Sequence, residues 1–72
     1  MRDPRIDPVV GDIVRSKGGV TRQVLKVWDG GIQPHIKYQT QRGRAKPTIR
    51  TTWSARWRLW CVRYKAAVVV TK

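Results

Sequence analysis

Between Thr51 and Lys65 the chain reads TTWSARWRLWCVRYK, and this stretch holds three of its four tryptophans, Trp53, Trp57 and Trp60. A helix advances about 100° per residue, which places Trp53, Trp57, Trp60 and Tyr64 within about 60° of one another. Ala55, Leu59, Val62 and Ala66 fall on nearly the opposite side, with Arg56 and Arg63 on one flank and Arg58 and Lys65 on the other. Such a helix has two apolar faces between two basic ridges, and in a small domain only one of them rests on the core. Each tryptophan buries on the order of 150–250 Å², an area a short chain needs, so the aromatic face is expected to lie inward. Spacing alone leaves the converse open, with Leu59 and Val62 as the anchor and the tryptophans offered to a partner. A side-chain oxygen of Thr51 or Thr52 is expected to cap the first turn.

Seventy-two residues make one domain, close to the size at which a single core struggles against chain entropy without a disulfide or a metal. Neither is expected: there is one cysteine, Cys61, and one histidine, His35. No cofactor is implied. The first twenty residues carry Asp3, Asp7, Asp12, Pro4 and Pro8 and no continuous apolar run, so neither a signal peptide nor a membrane span is expected. A single thiol fits a reducing compartment, and the expected location is cytoplasmic.

Sixteen Lys and Arg face four Asp and no Glu, for a net charge of +12 and a sequence pI near 11.5. All four acids lie at or before Asp29, so the chain beyond it is basic without a compensating acid. This excess exceeds what solubility asks for and attracts polyanions at long range.

In chain order, residues 1–8 read as an extended or frayed arm, and residues 9–72 as the folded domain. Val9 to Arg15 reads as a first short strand with Gly11-Asp12 as a turn or bulge. Ser16 to Gly19 is a tight connection. Thr21 to Trp28 is a second strand whose alternation slips near Val24 and Leu25, which predicts a bulge. Asp29-Gly30-Gly31 predicts a hairpin. Ile32 to Thr40 follows with Ile36 and Tyr38 on one face and His35, Lys37 and Gln39 on the other. Gln41 to Lys46 is a basic loop turning at Gly43, Pro47 to Thr51 a fourth strand with Ile49 inward, and Ala67 to Val70 a closing strand buried between neighbours. The fold expected is mostly β: a small five-stranded antiparallel barrel with one helix, about residues 52–64, before the last strand.

The run GDIVRSKGGVTRQVLKVWDGGIQPHIKYQT, followed by a capped helix and a final strand, resembles the small SH3-like barrels related to KOW and Tudor modules. With its DPRIDP arm, its GDIVR strand and its late paired tryptophans, the chain is also similar to short uncharacterised phage and prophage proteins. The helix before the last strand departs from SH3-like barrels, which have a short turn there.

The candidate site gathers Lys37, Arg42, Arg44, Lys46, Arg50, Arg56, Arg58 and Arg63. Cations release counterions from phosphates whatever the base sequence, and aromatic faces stack on unpaired bases. In Arg42-Gly43-Arg44-Ala45-Lys46, glycine lets the backbone approach a phosphate between flanking cations; the loop is otherwise a solvated hairpin tip. Inward tryptophans leave Tyr38 and Trp28 as the aromatic contribution and favour phosphate contacts with DNA or RNA of either strandedness. Outward tryptophans favour single strands. His35 and Cys61 make a nucleophile and base only if they meet in space, and the acids that would orient them are scarce. A helix rich in Trp and Arg also suits a headgroup layer, but the surrounding strands favour docking on the barrel. The expected function is a non-enzymatic nucleic-acid-binding module, monomeric or weakly dimeric, and the alternative is a phage-type module that binds an acidic protein surface.

Overall fold

A computed structural model describes residues 3–29 and 31–72; Met1 and Arg2 of the arm and Gly30 of the hairpin lie outside them. The elements run β1 (Ile13–Arg15), β2 (Val20–Asp29), β3 (Pro34–Arg42), β4 (Thr48–Trp53), α1 (Ser54–Arg63) and β5 (Ala67–Val70). All pairings are antiparallel, in the order β4-β3-β2-β1-β5. The fold is therefore mostly β, one five-stranded sheet with a helix before the last strand. β4 and β5 sit at opposite edges, so hydrogen bonding leaves the sheet open where a closed barrel was expected.

Alternation along β3 sets the two faces. Ile36, Tyr38 and Thr40 are buried toward the helix, whereas His35, Lys37 and Gln39 point the other way, as the sequence pattern predicts. On β2 the register slips between Val24 and Lys26, leaving Leu25 as the extra residue of the expected bulge. The core consists of Val14, Val24, Ile36, Tyr38, Trp57, Cys61 and Ala66, with Val27 and Trp60 against it.

Several expectations are corrected. The first strand is only Ile13–Arg15, because Val9 to Asp12 closes a turn in which the Asp12 amide donates to the Val9 carbonyl. Ile49 is 56% exposed, since it pairs with Gln39 and so shares the face away from the helix. The closing strand β5 pairs with β1 alone and is an exposed edge. The helix begins at Ser54, not near residue 52, because β4 continues through Trp53. Thr51 and Thr52 are strand residues and do not cap it. Gln33 does so from the β2–β3 connection: its Oε1 accepts the Ala55 amide at 2.9 Å and the Ser54 hydroxyl at 3.0 Å. At the other end the Ala66 amide donates to the Cys61 carbonyl and the Lys65 amide to that of Val62, with Lys65 at φ 50°. This is a Schellman stop with lysine where glycine is usual.

The arm is not extended over its described residues. It turns from Asp3 to Asp7, Pro4 and Pro8 are buried, and the Pro4 carbonyl accepts the indole N–H of Trp57 at 3.0 Å. Arg58 Nε donates to the Ile6 carbonyl at 2.9 Å. Asp12, wholly buried, accepts from the Val9 amide at one carboxylate oxygen and from the Lys72 amide at the other, both at 2.8 Å. It ties the end of the arm to the end of the chain, and Gly11 (φ 96°) leaves the room through which the Lys72 side chain passes.

Deleting residues 1–8 strips the buried Trp57 N–H of its acceptor and should lower stability by about 2 kcal/mol or more in urea unfolding. An unchanged midpoint would show that the arm is dispensable. Lys65→Gly relieves the left-handed backbone and should raise stability by about 1 kcal/mol; a lower midpoint would contradict the C-cap geometry.

Candidate nucleic-acid interface

The slip at Leu25 decides which β2 residues face the helix: Val20, Arg22 and Val24 before it, Val27 after it. Arg22 thus lies on the core side of a strand flanked on both sides, opposite Val14 on β1 and Thr40 on β3. Its guanidinium carbon is 3.9 Å from the ring centre of Trp60, 4.3 Å from that of Tyr38 and 5.9 Å from that of Trp57. Its Nε is buried and finds no hydrogen-bond partner among the described residues. Burial holds its pKa below the ordinary arginine value, and nearby Arg42 pushes the same way. Arginine remains charged even so. Half-buried and stacked between two rings, this cation is held by aromatic faces where a carboxylate would be usual.

Two adjoining grooves of about 370 and 400 Å³ share Arg22 and Tyr38 as their floor. One is walled by Arg56, Leu59, Trp60, Arg63 and Tyr64 of the helix and its end, with Thr52 of β4. Arg42, Lys46 and Arg50 line the other. Arg50 reaches it because it pairs with Tyr38, and Arg42 because it pairs with Val20, so both stand on the helix side of the sheet. Five of the eight predicted cations, Arg42, Lys46, Arg50, Arg56 and Arg63, are therefore gathered around one floor.

The other three lie elsewhere. Lys37 is on the opposite face of the sheet. Arg58 holds the arm through Ile6. Arg44 is exposed in a loop drawn tight by Gln41, whose amide nitrogen donates to the Gly43 carbonyl at 2.8 Å and to that of Ala45 at 2.6 Å, and it lines neither groove. Arg22 was not among the expected site residues, although its place between Val20 and Val24 in the inward-facing set marks it.

The tryptophans divide between the alternatives posed by the helical spacing. Trp57 is wholly buried and meets Tyr38 edge to face at 5.6 Å; Trp60 is half-buried against Arg22; Trp53 is 37% exposed. Leu59 and Val62 are 63% and 77% exposed, so that face of the helix is not the anchor. His35 and Cys61 lie on opposite sides of the sheet, the first stacked on Trp53 and the second buried beneath the helix. No described helix is long and apolar enough to cross a membrane. Comparisons with protein-family models, curated proteins and solved structures return no match to this chain.

Burial raises the Cys61 thiol to about 11, more than the neighbouring Arg22 and Arg5 lower it. At pH 8 about one thiol in a thousand is then ionised, so the native protein should resist thiol reagents until it is unfolded. Rapid, complete labelling under native conditions would contradict this placement of Cys61.

Proposed function

We propose that the protein is a non-enzymatic nucleic-acid-binding module that holds the phosphate backbone of DNA or RNA in the groove between the helix and the sheet. The observation that carries this is Arg22: a half-buried cation whose Nε has no hydrogen-bond partner among the described residues, lining two adjoining grooves walled by five further cations. Burying an uncompensated charge costs stability. A phosphate entering the groove supplies a countercharge to the Arg22 guanidinium, while Arg42, Lys46, Arg50, Arg56 and Arg63 engage its neighbours. Backbone contacts of this kind carry little sequence information, so low sequence specificity follows. The antiparallel order β4-β3-β2-β1-β5 supports kinship with small SH3-like modules, from which the helix before β5 departs.

The exposed Leu59 and Val62 beside Arg56 and Arg63 favour a second reading, an acidic protein surface that docks apolar groups on the helix and its carboxylates in the same groove.

Arg22→Met keeps an unbranched apolar stem against the rings and removes the guanidinium with its charge. Affinity for a duplex or single-stranded oligonucleotide should fall about tenfold, while the unfolding midpoint stays level or rises. Lost stability at full affinity would make Arg22 structural. Replacing Arg42, Arg50 and Arg56 together with alanine should reduce the slope of log affinity against log salt by about 2 to 3, at 0.7–0.9 per phosphate contact. Arg44→Ala should barely change it. Weak, salt-insensitive binding by the unaltered protein would leave the acidic-protein reading in its place.

A further inference from the structure

The face of the sheet turned away from the helix carries its own arrangement. Trp28, His35 and Trp53 are register partners on β2, β3 and β4, so they stand in a row across three strands. His35 stacks on Trp53 with ring centres 3.8 Å apart and planes 21° apart, and Trp28 leans on His35 at 5.1 Å. The row ends at an edge. No strand lies beyond β4, and no second ring or cation among the described residues packs on Trp53. One face of that indole is covered by His35, and the residue is still 37% exposed.

Beside the row, Lys26 and Lys37 are direct cross-strand partners, both exposed, with the Lys26 ammonium 5.6 Å from the Trp28 ring centre. Like charges placed opposite each other weaken a strand pair. Among the described residues no acid stands with them on the outward positions of these three strands, which are Thr21, Gln23, Lys26 and Trp28, then His35, Lys37, Gln39 and Gln41, then Ile49, Thr51 and Trp53. Cross-strand stacking accounts for the rings as a device of sheet stability; it does not account for the lysine pair.

We infer that this outer face is a second contact surface, on which an unpaired base of a single-stranded nucleic acid stacks on the open face of Trp53 while Lys26 and Lys37 hold the adjoining phosphates. A base continues the Trp28–His35–Trp53 stack by one ring, and the sugar–phosphate chain then runs past two cations that already lack a countercharge. Bases paired in a duplex present no free ring face, so this surface selects single strands where the groove does not. It shares the groove's class of partner and none of its residues.

The test is photocrosslinking of the full chain to a single-stranded oligonucleotide carrying 5-iodouracil, with adducts mapped by peptide mass spectrometry. An adduct on Trp53 is expected, and it should persist in the Arg42→Ala, Arg50→Ala protein. Trp53→Ala should lower single-strand affinity about tenfold with duplex affinity changed less than twofold. Lys26→Gln with Lys37→Gln, which leaves the row and the sheet intact, should lower single-strand affinity severalfold. Adducts confined to Tyr38, Trp60 and Tyr64 would overturn the outer surface and leave the groove standing. A Trp53 adduct together with duplex binding indifferent to salt and to Arg22→Met would overturn the groove and leave the outer surface. Absence of any adduct with a strand that binds would overturn the stacking of a base on Trp53.

Discussion

Trp57 is where three separate parts of the chain meet. Its ring packs edge-on against Tyr38 of β3, its backbone belongs to the helix, and its indole N–H is spent on the Pro4 carbonyl of the arm. In a chain without a disulfide, that one wholly buried side chain fixes how the helix lies on the sheet and what covers the helix. The remaining ties are of the same kind. Gln33 holds the start of the helix, Cys61 and Ala66 close its end, and the Asp12 carboxylate joins the arm to the C-terminus. Asp12 is buried as a tie and Asp3 is paired with Arg5, and among the described residues no acid lines either basic groove.

Seating the helix in this way leaves a channel whose floor is an arginine. Placing Arg22 on the core face of β2 runs against the usual preference for a paired or apolar residue there, and aromatic faces offset only part of the cost of burial. Sites that break a local rule in an otherwise consistent fold are where function is to be sought. The groove cations converge because β-strand alternation puts Arg22, Arg42 and Arg50 on one side of three neighbouring strands, and the helix then supplies Arg56 and Arg63 above them. Arg56 and Arg63 share one helix flank, but only the sheet register brings Arg22, Arg42 and Arg50 onto one surface beneath them.

Local pattern made a good part of this legible. The bulge at Leu25, the two faces of β3, the hairpin after Asp29, the tight turn at Ser16–Gly19 and the helix before the last strand all follow from residues a few positions apart. Ile49 and β5 went the other way. An isolated apolar residue or a valine run carries no information about whether a neighbour covers it, and here Ile49 faces outward at an edge and β5 has one partner. Five of the site cations were legible as basic residues on the right elements. Arg22 was marked by its place between Val20 and Val24 once β2 is divided at the bulge, but that the rings of Tyr38 and Trp60 would hold it is decided by the packing of the helix on the sheet.

By itself, then, the sequence determined five strands, one helix, their chain order and a strongly basic molecule short of acids after Asp29, because turns, alternation and charge are properties of contiguous residues. Tertiary structure alone decided where the aromatic side chains went. A single helical stripe from Trp53 to Tyr64 assumes one period throughout, but the chain changes from strand to helix between Trp53 and Ser54. Trp53 is directed by a strand, whose side chains alternate from one sheet face to the other, and Trp57 by a helix that turns about 100° per residue. The boundary between those two periods sent Trp53 to the outer face and Trp57 to the core, and its position was set by the pairing of β4 with β3, which no stretch of β4 alone contains.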